Sequence, residues 1–190
     1  MDASGVPEPN RPGRVDATPG AQPGRLGVRM VRPSSLDLSQ AGLFRGLPRV
    51  SLAHLLMLSR PGTFPSGSLL LRARRSPAYL FVLAAGRVRV EWLSPQLPRP
   101  AVLGELGPGD SLGELGILDG YRPALTAVAL EDTSAWLLPF NAIVLAMLHD
   151  AETRVIVGNR LVERRRAFDA QVETILREAA GVDGHTSLSF

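Results

Sequence analysis

Cysteine is absent from the 190 residues. No disulfide framework and no thiolate-held metal site can be built from this chain, and its chemistry suits a reducing compartment. Lysine is absent too: all 21 basic residues are arginine, set among abundant Ala, Leu, Gly and Pro, which reads as the codon bias of a GC-rich genome. Against 18 acids this leaves a net charge of only +3, so the sequence pI near 10.4 reflects arginine's high pKa and gives no ground for nucleic-acid binding. No apolar run approaches the roughly 20 residues that span a bilayer, and the N-terminus carries no apolar signal core. A cytoplasmic protein is therefore expected. Histidine is scarce: His54, His149 and His185 lie far apart, outside any carboxylate-rich setting, and read as ordinary helix or tail residues. Without a clustered His/Glu metal set, a cupin-like enzyme is set aside, and no enzymatic activity, metal or cofactor is expected.

What is present divides into three parts. Residues 1–35 hold six Pro, five Gly and five Arg against Asp2, Glu8 and Asp16, with no aromatic residue. Such a segment buries too little surface to offset its ordering entropy and is expected to be disordered, as a linker or as an electrostatic docking arm. Residues 36–180 form one domain, and 181–190 a short polar tail. The domain begins with helices: Leu38, Leu43 and Phe44 make an apolar patch, and Ser51 is placed as the N-cap of a helix carrying Leu52, Leu55, Leu56 and Leu58.

From Thr63 the apolar period changes from 3.6 to 2. Pro61, Gly62, Pro65 and Gly67 punctuate the chain, and strands are expected over Leu69–Leu71, Tyr79–Leu83, Val88–Trp92, Thr126–Leu130 and Thr133–Leu138. Strands this frequent, with glycine turns and no helices between them, indicate an antiparallel β jelly-roll barrel. Helices return after Pro139. Ile143, Val144, Met147 and Leu148 pack a short one, Asp150 caps the next, and that helix runs about 30 residues with Leu161, Phe168 and Ile175 seven apart and Val172 and Ala179 between them. The spacing is coiled-coil-like, interrupted by Arg165. Its first half suits a helix lying on its own barrel, and its second half suits pairing with a second copy. Arg164, Arg165 and Arg166 fan around the helix beside Glu163, Asp169 and Glu173 and read as a solvated, salt-bridged face.

The stretch that carries chemistry is Gly113 to Val128. Gly113 opens a turn, and the N–H groups of Glu114, Leu115, Gly116 and Ile117 can form an anion cradle. Glu114 offers a carboxylate for sugar hydroxyls, and Arg122 a fork of donors for phosphate oxygens. A hairpin corner with solvated Glu and Arg reads equally from the motif alone. The tetrapeptide Gly-Glu-Leu-Gly also occurs at 104–107, where it reads as a strand leading into the Pro108-Gly109 turn.

Gly113-Glu114-Leu115, a short turn, an arginine and Ala124-Leu125-Thr126-Ala127-Val128 resemble the phosphate-binding cassette of the cyclic nucleotide-binding domain family, which includes catabolite activator proteins and cAMP-dependent kinase regulatory subunits. The resemblance runs from about Leu43 to Phe168. It implies a mainly β fold with flanking N-terminal helices and a long C-terminal helix, with Glu114 on the ribose 2′-hydroxyl, backbone N–H groups and an arginine on the cyclic phosphate, and Ala124 as the small residue after that arginine. Gly113, Glu114, Leu115, Gly116, Arg122, Ala124 and Thr126 are then the candidate ligand residues, and cAMP or another cyclic nucleotide the candidate ligand. The family order Pro-Arg-Ala is replaced here by Arg122-Pro123-Ala124, which turns the arginine to the other face of an extended segment. The chain ends about where a helix-turn-helix would begin in DNA-binding relatives. The expectation is a stand-alone regulatory module, dimeric through its C-terminal helix, that senses a cyclic nucleotide. The alternative is a jelly-roll scaffold that has lost nucleotide binding.

Overall fold

The computed structural model describes residues 35–75, 77–117 and 124–183. The expected disorder before residue 36 falls outside these residues except at Ser35, and most of the expected polar tail, 184–190, also lies outside them.

Among the described residues two helices lead, α1 (Ser35–Gln40) and α2 (Arg49–Leu58). Eight strands follow: β1 (Arg60–Phe64), β2 (Leu69–Leu71), β3 (Tyr79–Ala85), β4 (Val88–Trp92), β5 (Ala101–Leu106), β6 (Ser111–Leu112), β7 (Leu125–Ala129) and β8 (Thr133–Pro139). Helices α3 (Phe140–His149) and α4 (Ala151–Asp183) close the order. The strands form two four-stranded antiparallel sheets, β1-β8-β3-β6 and β2-β7-β4-β5. This is the antiparallel jelly-roll architecture with a long C-terminal helix.

One core lies between the sheets, where Phe64 meets Phe81 edge-on and Leu70, Leu83, Val88, Ala127 and Leu137 fill the space around them. A second core lies on the other face of β3 and β8, where Leu80, Val82, Trp136 and Leu138 pack against Leu38, Phe44, Leu55, Ile143, Val157 and Leu161 of the helices. Strands β3 and β8 are thus covered on both faces, which is why their sequences run apolar without alternation.

Three local expectations change. Pro61 and Gly62 lie inside a strand, β1, because that strand is an edge of its sheet, where a missing proline N–H breaks no ladder. Ser51 is not an N-cap: α2 begins at Arg49 after Pro48, and Ser51 is buried within it. Its hydroxyl instead donates to Asp150 Oδ2 at 3.1 Å and stands 2.8 Å from the Thr153 hydroxyl, which also bonds Asp150 Oδ2. On α3, Ala142 and Ile143 are buried, whereas Val144 and Leu148 are exposed. Asp150 does cap α4, its Oδ2 accepting the Thr153 N–H at 3.1 Å. One carboxylate therefore joins α2 to the root of α4.

Candidate functional site

After β6 the backbone must turn sharply under β3. Gly113 does this at φ 94°, and a Cβ there would meet the Tyr79 carbonyl at 2.9 Å, so the position admits glycine only. Glu114–Gly116 then form a single 3₁₀ turn. Within it the Gly116 N–H donates to the Gly113 carbonyl and the Ile117 N–H to the Glu114 carbonyl, each at 3.0 Å. Of the four amides expected to cradle an anion, two are thus spent inside the turn, and the amides of Glu114 and Leu115, at the start of a helical turn, have no backbone partner among the described residues. Gly116 serves packing: a Cβ there would lie 2.7 Å from Pro77 Cγ and 2.9 Å from Phe140 Cε2.

This turn forms one wall of a cavity of about 350 Å³, within the range of small-molecule sites. Leu71, Val90, Leu106 and Leu125 supply apolar surface from the sheet β2-β7-β4-β5, with Gly113, Glu114 and Leu115 on the turn side. Helix α4 supplies Arg164, Ala167, Phe168 and Gln171. The cavity is apolar, with a carboxylate and a guanidinium set together at one end.

Those two groups are bonded. Arg164 Nη1 donates to Glu114 Oε1 at 2.8 Å, to Ser111 Oγ at 2.9 Å and to the Ser111 carbonyl at 3.2 Å. The side chains are only 30% and 13% exposed, so water screens the pair weakly. Glu114 Oε2 is buried and has no hydrogen-bond partner among the described residues. Seven residues along α4, Gln171 Nε2 donates to the Leu103 carbonyl of β5 at 2.7 Å. Helix α4 is thereby fastened across the cavity at two points.

Of the residues singled out in the sequence, Gly113, Glu114 and Leu115 border the cavity; Gly116 supports the turn from behind. Ala124 precedes β7, and its carbonyl accepts the Leu93 N–H at 2.7 Å. Thr126 lies on the face of β7 opposite Leu125, which does line the cavity. Arg122 and Pro123 are outside the described residues. Reading Arg164 as part of a solvated face was wrong, and the first Gly-Glu-Leu-Gly also contributes, since Gly104 lines the cavity. The signal for Arg164 was present: Val157, Leu161, Arg164, Phe168 and Gln171 recur at spacings of four and three, one face of a helix. Leu161 and Phe168, expected in a seam with a second copy, belong to the chain's own core and cavity.

Comparison with known proteins agrees with this fold. Residues 61–149, a little under half of the chain, match the family model of the cyclic nucleotide-binding domain. The CRP-like cAMP-activated global transcriptional regulator of Mycobacterium tuberculosis is 30% identical over 98 residues, covering 52% of this chain and 43% of that protein. The match spans less than half the length of that curated relative. Among solved structures, the catabolite activator protein of Thermus thermophilus superposes with a TM-score of 0.60 at 24% identity, over 70% of this chain and 62% of that one. A triple mutant of the regulatory subunit of a cAMP-independent protein kinase A from Trypanosoma brucei, bound to cAMP, superposes with a TM-score of 0.61 at 17% identity, over 75% and 49%. These structural likenesses concern the fold.

Proposed function

We propose that the chain is a regulatory module that binds a cyclic nucleotide of the cAMP type in this cavity and signals through α4. The observation that carries the reading is the Glu114–Arg164 pair, which couples the carboxylate expected to hold a ribose to the helix expected to carry the signal. A ribose 2′-hydroxyl donating to Glu114 competes with Arg164 for that carboxylate or completes its free oxygen, and either event alters what holds α4. The phosphate rests on the Glu114 and Leu115 amides, and a purine fills the apolar end beside Phe168.

Helix α4 also offers a surface for a second copy. Past Phe168 it carries Val172, Ile175, Leu176 and Ala179, all half-buried, a stripe suited to a homodimer seam. The module acts in the cytoplasm by binding rather than catalysis.

A second reading is a scaffold subunit without nucleotide. One observation favours it: proline stands where the family pattern has the phosphate arginine. The solved cAMP complex of a mutated subunit from a cAMP-independent kinase is a precedent for members of this fold that do not respond to cAMP. Hydrogen exchange of α4 amides with and without cAMP separates the readings. Changed protection around Arg164 and Gln171 supports the sensor, and an unchanged profile at millimolar cAMP supports the scaffold.

A further inference from the structure

Six of the nine large hydrophobic side chains exposed among the described residues lie on two neighbouring helices, Val50, Met57 and Leu58 on α2 and Val144, Leu145 and Leu148 on α3. Met57 is 81% and Leu148 65% exposed, far more than a helix flank needs to close a core. Helices α2 and α3 pack against each other. Beside them runs a groove of about 240 Å³ lined by Leu58, Pro139, Asn141, Ala142 and Leu145. Exposed apolar side chains on two packed helices, two of them lining a groove, mark a docking surface.

Charge indicates what docks there. Between Asp37 and Glu91 the sequence holds eight arginines and not one acid. Arg87 and Arg89 are paired with glutamates, but Arg49, which opens α2, and Arg60, just beyond its end, have no carboxylate partner among the described residues. Arg60 is held in place: its guanidinium carbon lies 4.6 Å from the centre of the Tyr79 ring. Tyr79 stands opposite Pro139 in the β3–β8 register, and Pro139 lines the groove. Stacking uses the guanidinium's face and leaves its N–H edge free to meet an anion. Asp150, at the end of α3, is committed to Ser51 and Thr153.

We propose that the α2–α3 groove docks an acidic amphipathic segment of a partner protein, with apolar residues seated between Leu58 and Leu145 and carboxylates on Arg49 and Arg60. A bilayer surface, flat on this scale, leaves the groove unfilled. The chain's own residues 1–35 carry five arginines against three acids and so do not supply the acidic charge that suits Arg49 and Arg60. The inference is independent of any ligand in the cavity.

The test uses the full chain and three probes: a fluorescein-labelled helical peptide with Leu at i and i+4 and Glu elsewhere, its twin with Lys in place of Glu, and phosphatidylserine vesicles. Fluorescence anisotropy should show saturable binding of the Glu peptide and at least about tenfold weaker binding of the Lys twin. Arg60→Glu and Leu145→Asp should each weaken the Glu peptide about tenfold with the thermal transition kept. Should Arg60→Glu fail to fold, Arg49→Glu on the exposed first turn of α2 takes its place. The proposal is overturned by equal affinity for the two peptides, by binding indifferent to these variants, by vesicle binding as strong as peptide binding, or by self-association that Leu145→Asp abolishes.

Discussion

Breaking the Glu114–Arg164 pair from either side should show how firmly α4 is held to the cavity. Arg164 Nη1 makes three hydrogen bonds, two to Ser111 and one to Glu114. Removing one partner of a fully buried pair costs about 3–5 kcal/mol. With Arg164 30% and Glu114 13% exposed, the pair lies between that limit and a surface pair worth about 0–1 kcal/mol. Arg164→Met, which keeps the apolar stem, should therefore destabilise by about 1–2 kcal/mol, or some 2–8 °C of melting temperature for a domain of this size. Glu114→Gln should cost a similar amount, and the double variant less than the sum. The assay is a double-mutant cycle by urea denaturation, with a coupling of about 1 kcal/mol expected. Additivity within about 0.3 kcal/mol would refute the reasoning, because the two side chains would then not interact in solution.

Three further outcomes follow from the same geometry. Gly116→Ala should destabilise by about 1–3 kcal/mol by crowding Pro77 and Phe140, and Gly113→Ala by at least about 1–2 kcal/mol because of its left-handed backbone; thermal melts check both. The Thr153 hydroxyl bond, chiefly, lowers the Asp150 carboxyl below its ordinary 3.8, so the stabilisation is complete above that pH and lost as pH falls through the lowered value. Acid titration of folding should show this loss in wild type and not in Asp150→Asn. Val172→Glu with Leu176→Glu should convert a dimer to a monomer in sedimentation at tens of micromolar, since charge buried in a seam costs several kcal/mol; a wild type already monomeric there removes the seam.

Much of the fold was legible because its periods are local. The switch from 3.6 to 2 near Thr63 and the return to helix after Pro139 both appear in the structure, as does the Asp150 cap. Strand β1 was hidden because Pro61 and Gly62 read as breakers unless one knows that the strand lies at a sheet edge, which is a tertiary fact. Gly113 and Glu114 could be found from a motif that one turn encodes. Arg164 could not be placed from charge alone. Three consecutive arginines on a helix point in different directions, and only the packing of Val157 and Leu161 decides that Arg164 faces the carboxylate while Arg165 bonds Asp169. Phe168 carried the right face and the wrong partner, because a seven-residue spacing suits a helix on its own barrel as well as a helix on its twin.

The most direct measurement is calorimetric titration of cAMP into the full chain, into Glu114→Ala, and into the exchange of Arg122→Pro with Pro123→Arg. With the phosphate arginine displaced, a charged hydrogen bond of roughly 1.5–3 kcal/mol is lost, so wild-type affinity should be some ten- to hundredfold below that of a relative with the usual order. The exchange should recover most of that loss, and Glu114→Ala in either background should abolish binding. Absence of heat from both wild type and exchanged protein at millimolar cAMP, or undiminished binding by Glu114→Ala, would contradict a cyclic nucleotide held by Glu114 in this cavity.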